Sequence, residues 1–228
     1  MKRLTALLAA AAAVCTVSVG CSSGGTDSSA PVPRVNTLSE LDIAKLNGGD
    51  MPPTSYYYDS DRIREIDGRV SSTLVKNKDD ALTVIRELAD IIGCHDPLNE
   101  LKYSEMNLMD GGFNYVFEQY YRDIPVRRGY VSIAADADGN TTRLHNYFIE
   151  NVNIATEPKI SAEDAVKLAK NKYSCDTRDE PELIIIETGR DGIYLTWDVK
   201  LDRNNYPDEA YIDAQNGAVR AEDGPIED

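Results

Sequence analysis

Between Asn77 and Gly93 the apolar positions Ala81, Val84, Ile85, Leu88, Ile91 and Ile92 recur at helical spacing. Asn77 is a good N-cap, Asp79 and Asp80 fall in the first turn where acids suit the helix dipole, and Gly93 suits the left-handed position that closes a helix. After Pro97 the period drops to two. Phe113, Tyr115 and Phe117 alternate onto one face, Val131 and Ile133 do the same, and Asp138-Gly139 is a hairpin turn signal before a strand around Arg143–Ile149. Upstream, Thr37 and Glu40 have capping-box spacing for a short helix over Leu38–Leu46, and Arg69-Val70 is expected as an edge strand. Tyr56, Tyr57 and Tyr58 read either as a strand with rings on both faces or as an exposed binding patch.

The plan then returns. Ser161 and Asp164 form a capping pair ahead of Ala165, Val166, Leu168, Ala169 and Tyr173. Leu183–Ile186 reads as a buried strand. Asp191-Gly192 turns into Ile193, Leu195, Trp197, Val199 and Leu201, with Tyr194, Thr196, Asp198 and Lys200 on the other face, a half-buried strand. Ala210–Ala214, Asn216-Gly217 and Ala218–Arg220 make a last hairpin. Asp136-Ala137-Asp138-Gly139-Asn140 aligns with Asp213-Ala214-Gln215-Asn216-Gly217. The pattern predicts an α+β fold of two related modules, each a curved antiparallel sheet packed on one helix.

Composition adds an address. Lys2 and Arg3 precede an apolar run from Leu4 to Val19, which reads as a secretory signal over residues 1–20 rather than a membrane span. Gly20-Cys21 places a small residue before a Cys at the end of that run, as in a lipoprotein signal, so Cys21 is the expected lipid attachment site. Ser22–Ser29 then reads as a flexible tether, and residues 21–64 as tether plus N-terminal segment. The expected location is the outer face of a bacterial cell membrane. Residues 1–20 hold two of the 24 basic and none of the 39 acidic residues, so without them the net charge moves from −15 to −17. That field disfavours nucleic acid and anionic headgroups as partners. With Cys15 in the signal and Cys21 lipidated, Cys94 and Cys175 remain as an even pair for which a disulfide is chemically permissible in an exported chain.

Catalytic spellings are scarce. The two histidines, His95 and His145, cannot make a His-Glu-x-x-His zinc site. Gly20-Cys21-Ser22-Ser23-Gly24 has the Gly-x-Ser-x-Gly spelling but lies in the tether, without the strand and helix that a nucleophile elbow needs. Asp136–Asn140 lacks the spacing and distal Glu of a calcium loop. No phosphate loop, dinucleotide fingerprint or Cys-x-x-Cys occurs. The expectation is a non-catalytic protein without cofactor or metal.

One stretch is more specific. Phe117-Glu118-Gln119-Tyr120-Tyr121-Arg122-Asp123-Ile124-Pro125-Val126, followed by Gly129-Tyr130-Val131, resembles the Phe-x-Gln-x-Tyr-x-x-Ile-Pro-Val run of the fungalysin/thermolysin propeptide (FTP) domain, and Asp96–Leu101 fits it too. Ser161–Ala165 through Tyr211–Gly217 resembles a PepSY domain, a looser motif. These resemblances set the expected domains at 65–156 (FTP-like) and 157–228 (PepSY-like), the order of thermolysin-like metallopeptidase precursors. The chain ends at Asp228, with no peptidase domain expected. The resemblance implies a surface-tethered, propeptide-like protein that inhibits, or assists the folding of, a secreted thermolysin-like metallopeptidase. Tyr120, Tyr121, Ile124, Pro125 and Val126 are the candidate partner-binding residues, although Ile124 and Val126 equally suit packing beneath the first sheet. The other readings are an envelope structural or sensing module that binds another protein or peptide, and an enzyme of unrecognised type.

Overall fold

The computed structural model describes residues 55–59, 62–189, 192–203 and 206–223. The signal, Cys21, the tether, the Leu38–Leu46 helix and Asp191 lie outside them. Ten strands form one sheet: β1 (Ser55–Asp59), β2 (Arg62–Asp67), β3 (Leu101–Met109), β4 (Gly112–Tyr121), β5 (Ile124–Asp136), β6 (Thr141–Asn146), β7 (Thr177–Thr188), β8 (Gly192–Leu201), β9 (Glu209–Asp213) and β10 (Val219–Asp223). Helices α1 (Lys78–Glu87), α2 (Ala89–Ile92), α3 (Pro97–Glu100) and α4 (Ala162–Tyr173) complete a mixed α+β fold. The main path runs β1-β2-β6-β5-β7-β8-β9-β10, and β4 lines the other edge of β5 with β3 beyond it. Where two sheets were expected, a single parallel step, Val126 against Ile185, joins all the strands into one. The strand expected at Arg69-Val70 sits earlier, as β2, and the three tyrosines from Tyr56 lie in β1 beside it.

The first half follows its sequence closely. The Asn77 side chain accepts from the backbone N–H of Asp79 (2.8 Å) and Asp80 (3.1 Å), capping α1. Ala81, Val84, Ile85 and Leu88 are buried against Ile66, Tyr115, Phe117, Val131, Ile133 and Leu144. The expected single helix is broken at Leu88 (φ −98°, ψ 10°), which separates α1 from α2, and Gly93 then ends α2 at φ +79°. Together with α3, this half therefore carries three helical pieces rather than one.

The Phe117–Val131 run explains how the halves meet. β4 and β5 are joined by Arg122 and Asp123, both at positive φ (+49° and +65°), the primed geometry whose twist suits a two-residue hairpin. Their register shifts between Glu118 and Tyr120, and Arg128 stands at φ +59° opposite. Such a bulge bends a strand. Beyond it, Val131–Ala135 pair with β6; before it, Val126 pairs with β7. At the bend Gln119, 2% exposed, donates to the Ile149 carbonyl and accepts from the Ile149 N–H, both at 2.8 Å. Gly129 leaves room for it, since a Cβ there would lie 2.6 Å from the Gln119 Oε1.

In the second half Ser161 accepts from the Asp164 N–H and caps α4, whose Ala165 and Ala169 pack on Val199, Leu201, Ala210 and Ile212. Leu168, expected on that face, is largely exposed. Trp197 packs against this cluster and also against Val126, Ile149, Ile185 and Leu195, and donates its indole N–H to the Ile160 carbonyl at 2.8 Å. The two aligned turns share a device. Asp136 accepts from the Asp138 and Asn140 N–H groups, and Asp213 from those of Gln215 and Asn216.

Candidate functional site

The sheet curls toward the face away from the helices. Arg127 leaves β5 and donates to Glu209 of β9 (2.9 Å) and Asp223 of β10 (3.0 Å), its guanidinium 5.0 Å from the Tyr211 ring centre. Three strand spacings of about 4.8 Å separate β5 from β9 in a flat sheet, roughly 14 Å in all and beyond the reach of an arginine. Only a strongly curved sheet closes that gap. The curl also covers positions expected to face solvent: Thr196 and Asp198 of β8 are buried, so the strand is not half-buried as its alternation predicted.

Inside the curl lies an open groove of about 550 Å³. Its walls come from the outward residues of β4 and β5, including Val116, Glu118 and Tyr130, from His145 of β6, and from Glu182, Ile184 and Asp198 of β7 and β8. Lys200 Nζ lies 3.0 Å from Asp198 Oδ2 and 2.5 Å from Glu209 Oε1. Burial pushes the Asp198 carboxyl above the usual range, more than Lys200 offsets. Burial also works against the charge of Glu209, but bonds from Lys200 and Tyr211 and the charge of Arg127 outweigh it and hold that carboxyl low. Asp198 Oδ1 is buried without a hydrogen-bond partner among the described residues.

The second feature is β3. Among the described residues it pairs with β4 alone and nothing pairs its other edge, and Lys102 to Met109 are all exposed. Tyr103, Met106 and Leu108 pair with Phe117, Tyr115 and Phe113, so they extend the apolar stripe of β4 onto β3. Met106 is 42% and Leu108 80% exposed. An open edge with apolar side chains is a template for another strand.

Of the residues singled out in the sequence, Val126 is buried and steps onto Ile185, while Tyr121 and Ile124 pack against the same cluster as Leu195 and Ile149. Ile124 and Val126 thus sit under the second half of the sheet rather than the first. Tyr120 and Pro125 face each other across the hairpin, half-buried, with Lys102 Nζ 4.0 Å from the Tyr120 ring centre. Cys94 and Cys175 are free thiols in different apolar clusters. Cys94 is buried and its Sγ donates to Glu100 at 3.4 Å; burial and the Glu100 charge push its thiol pKa well up. Native-state treatment with a maleimide, followed by peptide mapping, should label half-buried Cys175 and spare Cys94 until the chain is unfolded. Protection of Cys175 that is lifted only by a reductant would contradict the two-thiol arrangement.

His145 Nε2 lies 3.1 Å from Glu65 Oε2, and His95 is exposed. Among the described residues no group of three or more His, Cys, Asp or Glu could hold a metal ion, and no helix is long and apolar enough to cross a membrane. Sequence reasoning missed the groove and the β3 edge. An acid in the alternating β8 strand was visible, but its burial depends on the curl.

No protein-family model matches the chain, and no curated protein matches it. Among solved structures the Bacillus megaterium YpeB C-terminal domain is similar, at 16% identity and a TM-score of 0.39, over 78% of this chain and 76% of that one. A likeness of that size assigns neither family nor activity.

Proposed function

We propose that this is an exported, non-catalytic binding protein, held to a membrane by lipid at Cys21, that regulates a secreted thermolysin-like metallopeptidase. Two things support the reading. The Phe117–Val131 run resembles an FTP propeptide motif, and its residues build the bend that sets up the sheet. The observation that carries the binding role is the β3 edge, unpaired among the described residues, with Tyr103, Met106 and Leu108 exposed along it. An extended segment of a partner adds there as one more strand, main-chain bonds supplying affinity and apolar contacts selectivity. We read the two halves as copies of one plan, FTP-like then PepSY-like, each with an N-capped helix on the sheet and an Asp-led turn.

The test is titration of the purified protein against a thermolysin-like peptidase and an unrelated serine peptidase. The expected result is dose-dependent loss of activity in the metallopeptidase alone. A Met106→Lys/Leu108→Lys variant, altered only at exposed positions, should keep its stability within about 0.5 kcal/mol and weaken inhibition at least tenfold, roughly the effect of losing an apolar anchor. Digestion without transient inhibition, or no binding at micromolar concentration, would shift the reading to an envelope module for another protein or peptide.

A further inference from the structure

Independently of the peptidase reading, the geometry points to the groove as a binding site for an alkylammonium or guanidinium group, with Asp198 and Glu182 as its acceptors. Asp198 is 5% exposed, lines the groove, and leaves Oδ1 without a donor. A buried carboxylate oxygen without a partner is costly, so a site that holds one is prepared for a donor. Lys200 does not fill that role, because it sits on Oδ2 and is shared with Glu209.

The surrounding charges specify the sign of the missing donor. Arg127, Arg128 and Lys200 are matched by Glu209, Asp223 and Asp198 in one contiguous set of ion pairs. Glu182 lies directly across from Asp198 in the β7–β8 ladder, on the same face, and makes no ion pair among the described residues. Two carboxylates directly opposite repel unless something positive lies between them. Glu118, also in the wall, accepts from the Ser104 hydroxyl at 3.0 Å and makes no ion pair among the described residues. Past the acids, Val116 and Ile184 offer apolar wall, suited to the methylene stem of a basic side chain whose head reaches Asp198. The volume of about 550 Å³ admits such a side chain with part of its backbone.

The shared chemistry could be carried by a peptide or by a small free amine, so both are used as probes. Calorimetric titration of the purified protein at neutral pH and low salt compares acetyl-Ala-Arg-Ala-amide, acetyl-Ala-Gln-Ala-amide and n-butylammonium. Saturable binding of the arginine peptide and not of the glutamine peptide is expected. Binding of butylammonium as tight as that of the arginine peptide would identify a free amine as sufficient; weaker binding would identify a peptide side chain. Asp198→Asn should weaken binding at least tenfold, as expected for loss of a charge-assisted hydrogen bond. Glu182→Gln should weaken it less, whereas Glu163→Gln, which removes the same charge from the exposed side of α4, should leave it unchanged. Thermal melts check that each variant is folded, and Glu182→Gln carries the test should Asp198→Asn fail to fold. Absence of saturable binding by either cation, equal binding of the glutamine peptide, or equal weakening by Glu163→Gln would overturn the assignment.

Discussion

Gln119→Leu should cost about 3 kcal/mol of stability and lower Tm by roughly 6–12 °C, the shift expected for a chain of this size. The side chain is buried and makes two bonds to one residue, Ile149, donating to its carbonyl and accepting from its N–H. Leucine preserves bulk but satisfies neither group. Each buried backbone group left unpaired costs about 1–3 kcal/mol, while a surface substitution nearby would cost a few tenths. The position matters because Ile149 begins the segment that runs over Val126, Ile185 and Leu195. Loosening it therefore loosens the step from β5 to β7. Chemical denaturation of the variant measures the cost, and a loss below about 1 kcal/mol would show that water or rearranged backbone replaces both bonds.

The second large effect is expected at Trp197. Trp197→Ala should destabilise by about 3–5 kcal/mol, the usual range for deleting a large aromatic from a core. The ring touches the α4 cluster on one side and the Val126–Ile185 cluster on the other, so its loss opens a cavity shared by both. Trp197→Phe keeps most of the ring and loses the bond to the Ile160 carbonyl, for an expected cost of about 1–2 kcal/mol. Far-UV circular dichroism in denaturant compares the two variants, since the only Trp of the chain is the residue removed. Similar costs for the two would mean that the hydrogen bond, and not the packing, carries the contribution.

What could be read from the sequence was local. The caps at Asn77 and Ser161, the left-handed Gly93, the alternation of Phe113, Tyr115 and Phe117, and the Asp-led turns each depend on a few adjacent residues. The primed turn at Arg122-Asp123 was less legible because neither residue is Gly or Asn, which usually mark positive φ. Arg128 hides the bulge in β5 for the same reason. The missed features are non-local. The single step between Val126 and Ile185 joins residues far apart in the chain, and from it follow the curl, the buried side of β8 and the groove. The exposure of β3 was hidden too, because Tyr103, Met106 and Leu108 carry a core-like pattern that no helix among the described residues buries.

The shared lysine inside the curl lies between two carboxyls that respond to acid in opposite senses. Asp198 and Glu209 both hold Lys200, yet burial raises the pKa of Asp198 while the bonds and charges around Glu209 lower its own. Because its folded pKa is raised, proton uptake by Asp198 favours the folded chain; because that of Glu209 is lowered, uptake there costs stability. With Asp198 protonated and Glu209 ionised, the lysine keeps one full partner, and Glu209 still links Arg127 to β9. Acid thus has two separate effects here: a proton on Asp198 removes one charge from the wall of the groove, and a proton on Glu209 loosens the strands that shape it.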